Sequence, residues 1–122
     1  MTEKERVYSD AEIAEKLAHE LPEWRHEGDW IRRTYKTHTW PGTMLLVGTI
    51  GMLSEAAWHH PDLVVSYAFV EVKLRTHSAK GITDKDFGLA KKLEETLLWR
   101  SEGAREAPLA KRVLRGPSAE RA

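Results

Sequence analysis

The chain has 122 residues, of which 41% are hydrophobic and 31% are charged, and a chain of that size and composition is expected to form one domain with a moderate core. Acidic and basic residues both number 19, so the formal net charge is zero. No field of one sign therefore favours direct binding to nucleic acid or to an acidic membrane. The absence of cysteine excludes disulfides, thiolate nucleophiles and thiolate metal ligands.

The first third of the chain predicts a helix followed by a β-hairpin. Ser9 and Glu12 have the spacing of a capping box, which predicts a helix over residues 10 to 21. Aromatic and β-branched residues then flank a Glu-Gly-Asp turn. This pattern predicts two antiparallel arms, near residues 24 to 27 and 30 to 38.

The second predicted helix runs from Thr43 to Ala57, after Pro41 has opened its first turn. It is apolar on nearly every side, as expected of a helix that is covered on more than one face, so we expect it to meet another subunit. Gly48 and Gly51 weaken such a helix by about 1 kcal/mol each relative to alanine. That cost is usually accepted where another backbone comes close.

No segment predicts a membrane span or a signal peptide. The longest apolar run, "WPGTMLLVGTIGML", is too short to cross a bilayer. The N-terminal stretch "MTEKERVYSD" lacks an apolar core. We therefore expect a cytoplasmic protein.

The stretch "LVVSYAFVEVKLRTH" alternates with a period of two and predicts one long, half-buried strand or a strand pair. Its buried face is predicted to consist of Ala68, Val70, Val72 and Leu74. Thr83 then caps a final helix that reaches about Arg100. The domain is thus predicted over residues 1 to 100, with residues 101 to 122 as a mobile polar tail.

This order of elements predicts an α+β fold, a single small domain with an antiparallel sheet covered on one face by helices. A sheet with few strands has open edges. Pairing of edges across a two-fold axis would close them, which predicts a homodimer or homotetramer.

Candidate chemistry is concentrated around "EAAWHHPDL", where Glu55 lies one helical turn before His59 and is expected to share its face, and His60 precedes a proline. His77 closes the predicted long strand, and Asp86 opens the last helix. Imidazoles beside carboxylates suit general acid and base catalysis. A solvated helix end is the plainer alternative, and a metal site is a weaker one, because HExxH and His-x-His spacings are absent.

Two aromatic residues, Trp24 and Tyr67, are interpreted as core or as pocket wall. They are not interpreted as stacking platforms for nucleic acid, since no basic residues are interleaved with them in a recognisable module.

The segment from Glu55 to Ala90, "EAAWHHPDLVVSYAFVEVKLRTHSAKGITDKDFGLA", resembles the signature of the pterin-4a-carbinolamine dehydratases. The shared features are an acidic residue, His-His-Pro, an aromatic residue, Thr-His, a glycine turn and an aspartate. His59 and His77 are 18 positions apart and Asp86 follows 9 later, as the family pattern requires. Agreement is looser back to Trp24.

The resemblance implies a four-stranded antiparallel sheet with helices on one side, in dimers or tetramers. It implies dehydration of 4a-hydroxytetrahydropterin to quinonoid dihydropterin, in the recycling of tetrahydrobiopterin, with no metal or organic cofactor. His59, His60 and His77 would be the catalytic imidazoles. Glu55 and Asp86 would be their supporting carboxylates, with Trp24 as a pocket wall.

The resemblance also leaves a second hypothesis open. Where family members usually place phenylalanines, this chain has Thr37, Trp40 and Leu46, together with the two helical glycines. Some bacterial relatives in carbon-fixation gene clusters resemble RuBisCO assembly factors. The alternative is thus a non-catalytic binding protein, with a protein client such as RuBisCO.

Overall fold

The computed structural model describes residues 5–99, and within them it shows three helices and one sheet of four strands. In chain order the elements are α1 (Asp10–Glu20), β1 (Arg25–Glu27), β2 (Trp30–Lys36), α2 (Trp40–Ala57), β3 (Asp62–Ser66), β4 (Phe69–Leu74) and α3 (Asp84–Leu97). The α+β fold with a four-stranded antiparallel sheet is therefore confirmed. The predicted tail over residues 101 to 122 lies outside the described residues. Within residues 5–99, no helix combines the length and the apolar character that crossing a bilayer requires.

Side-chain caps define where the helices begin. The Ser9 hydroxyl accepts from the Glu12 backbone N–H and the Glu12 carboxylate accepts from the Ser9 N–H, so the predicted capping box is present. The second helix begins at Trp40, where the Thr39 hydroxyl accepts from the Gly42 N–H, and Pro41 is accommodated in the first turn as predicted.

The sheet has the strand order β1-β2-β4-β3, with every neighbouring pair antiparallel. The predicted first hairpin is confirmed, and Gly28 occupies its turn at φ +62°. Of the predicted long strand or strand pair, the structure shows the pair: β3 and β4 form a second hairpin whose turn is Tyr67-Ala68. A two-residue turn preserves the period-two alternation, and no glycine, proline or asparagine marks it, so the pattern could not separate one strand from two.

The helices cover one face of the sheet and form the core with it. Val70, Val72 and Leu74 are fully buried there, as predicted, whereas Ala68 lies exposed in the turn. The apolar stripe of α3 packs into the same core, and its buried members are Phe87, Leu89, Ala90, Leu93 and Leu97.

The other face of the sheet is open and charged near its first edge. Arg25 is 2.8 Å from Glu71, and Arg32 is 2.5 Å from Glu27. Such exposed pairs contribute modestly to stability, but they neutralise this part of the surface.

The outer side of α2 remains uncovered within residues 5–99. Met44, Leu45 and Met52 are exposed there. A Cβ at Gly48 or Gly51 would meet no atom within 4 Å. The close approach predicted for these glycines is therefore not made by the described chain, and contact with another subunit stays a prediction.

Candidate active site

The predicted catalytic residues lie at one end of the sheet. His59 and His60 connect α2 to β3, while His77 follows β4 and Asp86 lies in the first turn of α3. The start of β3 pairs with the end of β4, through Asp62 and Lys73. The antiparallel register therefore gathers segments that are far apart in the sequence.

A buried carboxylate holds the first histidine. His59 Nε2 is 2.7 Å from Asp86 Oδ1, with 11% of the His59 side chain exposed and none of the Asp86 side chain. Asp86 Oδ2 accepts from the Thr76 hydroxyl at 2.8 Å and from the Thr83 N–H at 2.9 Å. Since a carboxylate only accepts, Nε2 of His59 is the donor, which leaves Nδ1 with the free lone pair of the neutral ring.

The second histidine is directed outward by the end of α2. Trp58 adopts a left-handed conformation with φ 52° and ψ 45°, and the His59 N–H then bonds to the Ser54 carbonyl at 3.1 Å. This reversal separates the directions of the adjacent imidazoles. His60 Nε2 lies 2.8 Å from Glu55 Oε1, and both side chains are more than half exposed. The prediction that Glu55 shares a helical face with His59 is wrong: α2 ends at Ala57, before His59, and the Glu55 carboxylate contacts His60 instead.

The third histidine is exposed beside an aromatic wall. The rings of His77 and Trp30 meet edge to face with centroids 5.7 Å apart. Two backbone hydrogen bonds between Thr76 and Gly81, of 2.9 and 3.4 Å, close the loop that carries His77. Because the preceding Thr76 also donates to Asp86, the loops of His59 and His77 are joined through one carboxylate.

Trp24 is not brought to the histidines. It lies just before β1, at the edge of the sheet opposite β3. It is 4% exposed, and its Nε1 donates to Glu94 Oε1 at 2.9 Å. The same oxygen accepts from Arg33 Nε at 2.6 Å and from the Tyr35 hydroxyl at 3.0 Å. Burial raises the pKa of Tyr35. This network belongs to the core.

Tyr67 is likewise distant from the histidines, because the β3–β4 turn lies at the opposite end of the hairpin from His60. Its side chain is 62% exposed, and its carbonyl accepts from the Thr43 hydroxyl at 2.8 Å. The described contacts of Tyr67 therefore place it in a structural turn, and a substrate contact stays a prediction.

Sequence reasoning missed two tryptophans at the histidine end of the sheet. Trp30 contacts His77, and Trp58 is 74% exposed with its ring centroid 5.2 Å from that of His60. The position of Trp58 directly before the histidine pair was the available signal, but its left-handed backbone has no sequence mark. Within residues 5–99, no group of three or more histidine, aspartate or glutamate side chains is placed to hold a metal ion.

Comparison with known proteins shows the family to which this chain belongs. The sequence profile described as "Pterin 4 alpha carbinolamine dehydratase" matches residues 6–96. The chain belongs to this dehydratase family. A relative from Aquifex aeolicus, provisionally named pterin-4-alpha-carbinolamine dehydratase, is 43% identical over 90 residues, covering 74% of this chain and 90% of its own. A relative of the same provisional name from Chloroflexus aurantiacus is 43% identical over 89 residues, covering 73% and 95%.

Two solved structures resemble this pterin-4a-carbinolamine dehydratase family member. A transcriptional coactivator/pterin dehydratase from Brucella melitensis has a TM-score of 0.67 at 26% identity, covering 73% of this chain and 96% of its own. A pterin dehydratase-like protein identified as a RuBisCO assembly factor in the alpha-carboxysome has a TM-score of 0.52 at 16% identity, covering 62% and 90%. The second likeness concerns the fold alone.

Proposed function

We propose that this chain dehydrates 4a-hydroxytetrahydropterin. The observation that carries the proposal is the placement of three imidazoles and two carboxylates at one end of the sheet, joined through the buried pair of His59 and Asp86. Membership of the dehydratase family supports the same reaction.

The reaction requires two proton transfers, one to the leaving hydroxyl and one from a ring nitrogen. One imidazolium donates a proton to the 4a-hydroxyl, the bond from C4a to oxygen breaks, and water leaves. A second group takes a proton from the ring nitrogen, whose electron pair forms the new double bond to C4a, which gives quinonoid dihydropterin. General acid and base groups typically contribute factors of about 10²–10⁴ to such a step.

The three histidines suit different parts of this task. His77 is exposed, and neither of its ring nitrogens forms a hydrogen bond with residues 5–99, so both are available to a substrate. Glu55 orients His60, and Asp86 leaves only Nδ1 of His59 for an incoming group. We propose that His77 and His60 exchange protons with the pterin while His59, held by Asp86, supports them at the same end of the sheet.

The test is dehydration of freshly generated 4a-hydroxytetrahydropterin, followed by absorbance as the quinonoid product forms. Wild type should accelerate the reaction, and His60→Ala and His77→Ala should each lose about 10²-fold or more. His19→Ala, an exposed histidine in the last turn of α1, serves as the matched control and should keep full activity. No acceleration by folded wild type would contradict the proposal.

Because the product of this reaction is a quinonoid dihydropterin, we propose that the chain acts in the recycling of tetrahydrobiopterin. We also propose a cytoplasmic location. Reduction of the quinonoid product would regenerate the tetrahydropterin.

We also propose that the outer side of α2 is a contact between copies of this chain. Met44, Gly48 and Met52 recur every fourth residue along it and are exposed within the described chain, so a second helix could approach closely there. Light scattering coupled to gel filtration should show a dimer or tetramer for wild type and smaller species for Met52→Glu. A wild-type monomer would contradict this contact.

The same surface supports the alternative function, binding of a client protein such as RuBisCO without catalysis. An uncovered apolar helix face is what such a client would contact. A protein of this kind would be insensitive to His60→Ala and His77→Ala but sensitive to Met52→Glu, measured as co-purification of the client. If the chain is an enzyme, His60→Ala and His77→Ala should instead lose dehydratase activity.

A further inference from the structure

A cationic row lies on the open face of the sheet beside the candidate active site. Side chains alternate along β4 and beyond it, so Lys73, Arg75 and His77 project to the same side. The β2–β4 register pairs Arg32 with Lys73. Two positions closer to the histidine end of the sheet, the same register places Trp30 opposite Arg75. Consistent with this placement, the Trp30 ring contacts His77, and Lys73 Nζ lies 4.7 Å from the Trp30 ring centroid.

Two cations of this row are not in close contact with a carboxylate within residues 5–99, although Asp62 lies opposite Lys73 in the β3–β4 register. Arg25 and Arg32, on the same face, pair with Glu27 and Glu71, whereas neither Lys73 nor Arg75 forms an ion pair in this part of the chain.

Arg75 is the more notable of the two. Its Nε atom is buried and has no hydrogen-bond partner among residues 5–99. A buried donor without an acceptor costs stability, and a guanidinium is the group best suited to bind a phosphate or carboxylate through two parallel hydrogen bonds. Arg75 therefore has no carboxylate partner within residues 5–99 and is complementary to an anion, although the whole chain is neutral.

We infer that the pterin substrate of this chain carries an anionic group, a phosphate or carboxylate, on its side chain. Arg75 and Lys73 bind that group, and Trp30 forms an apolar wall for the substrate next to His77. This inference rests on the proposed function, because it places the reacting pterin ring at the histidines. Along the extended chain, Arg75 lies two residues and Lys73 four residues before His77, which corresponds to about 7 and 14 Å. These distances match a short substituent on a bicyclic ring.

The experiment compares stable ligands, of which dihydroneopterin and its monophosphate differ in the phosphate alone. Binding of dihydroneopterin and of dihydroneopterin monophosphate to the full chain is measured by isothermal titration calorimetry at low and at physiological salt. Dihydrofolate supplies a carboxylate arm. We expect the monophosphate or dihydrofolate to bind about tenfold or more tightly than dihydroneopterin, with the advantage shrinking as salt rises. The anionic ligand whose advantage shrinks as salt rises identifies the group.

Three variants assign the preference to residues. Arg75→Gln and Lys73→Gln should each reduce the anionic advantage at least several-fold while leaving dihydroneopterin binding unchanged. Lys36→Gln is the matched control, because Lys36 is exposed on the same face at the far end of β2, and it should keep the full advantage. If Arg75→Gln does not fold, Lys73→Gln and the wild-type comparison still decide.

The outcomes separate this inference from the proposed function. Equal binding of neutral and anionic ligands by wild type, or an anionic advantage that survives in both Arg75→Gln and Lys73→Gln, overturns the inference even if dehydration is observed. An anionic advantage that the two variants lose supports the anion site. In that case absence of dehydration by wild type would contradict only the proposed reaction.

Discussion

Nε2 of His59 lies 2.7 Å from Oδ1 of Asp86, a contact that joins the end of α2 to the first turn of α3. The same carboxylate accepts from the Thr83 N–H in the capping box of α3 and from the Thr76 hydroxyl. One buried side chain therefore starts a helix, anchors the loop before His77 and holds an imidazole. The site and the fold are coupled through it.

Removing this carboxylate should destabilise the protein strongly. Asp86→Ala leaves the His59 ring, the Thr76 hydroxyl and the Thr83 N–H without their acceptor, which should cost about 2–4 kcal/mol in the free energy of unfolding. Urea denaturation measures the change. Asp10→Ala, which removes an exposed carboxylate from the first turn of α1, should cost less than about 1 kcal/mol. Equal effects of the two variants would show that Asp86 acts only as a helix-terminal charge.

The two adjacent histidines should differ in their effect on stability. His59→Ala removes a largely buried ring that is hydrogen-bonded to Asp86 and should cost about 1–3 kcal/mol. His60→Ala removes a ring that is 54% exposed, so its cost should be about 0.5 kcal/mol or less. Thermal unfolding of both variants gives the comparison. A larger loss for His60→Ala would contradict the burial described for this pair.

Glu94 should be a principal support of the core. Glu94→Ala leaves Arg33 without its carboxylate and removes the acceptor of Trp24 and Tyr35, at an expected cost of about 3–5 kcal/mol. Glu95→Ala is the matched control, since Glu95 is 69% exposed on the same helix. Urea midpoints measure both. The double variant Glu94→Leu with Arg33→Met removes both charges. If it is no more stable than Glu94→Ala, the unpaired Arg33 guanidinium is not the cause of the destabilisation.

Acid should weaken the contact of α1 with α3 through Glu20. Hydrogen bonds from Lys16 and then Lys91 lower the pKa of Glu20 to about 2. Because the folded-state pKa is depressed, the stabilisation is complete above the unfolded pKa near 4.5 and is lost as pH falls toward 2. Glu20→Gln should lower the melting temperature by about 2–4 °C at pH 6 and by progressively less down to pH 2. Glu15→Gln, on the same helix, is the control. A difference in melting temperature between wild type and Glu20→Gln that does not change with pH would contradict the role assigned to the Glu20 carboxylate.

Two glycines should respond to alanine with opposite signs. Gly28 has φ +62° in the first hairpin turn, so Gly28→Ala should cost about 1 kcal/mol. Gly88 is exposed inside α3, and an added Cβ there meets no atom within 4 Å, so Gly88→Ala should stabilise by about 0.5–1 kcal/mol. Thermal denaturation measures both, and a destabilised Gly88→Ala would indicate a contact that the described chain does not make.

Local sequence signals were sufficient for the helices and the first hairpin. Capping residues such as Ser9 and Thr83 act through hydrogen bonds within three residues, so their consequences can be predicted without a fold. Local spacing was not sufficient for the site, because it placed Glu55 beside His59, whereas α2 ends at Ala57 and Glu55 contacts His60.

By itself, the sequence determined the α+β class and the capped helices, since these depend on local periodicity and short spacings, and the resemblance of its histidine signature indicated the family. Only the tertiary structure decided which carboxylate holds which histidine, that the long apolar alternation is two strands, and that Trp24 bonds to Glu94 while Trp30 lies beside His77. The physical reason is that strand register and helix packing bring together residues distant in the chain, and a period of two is the same in one strand as in a tight hairpin.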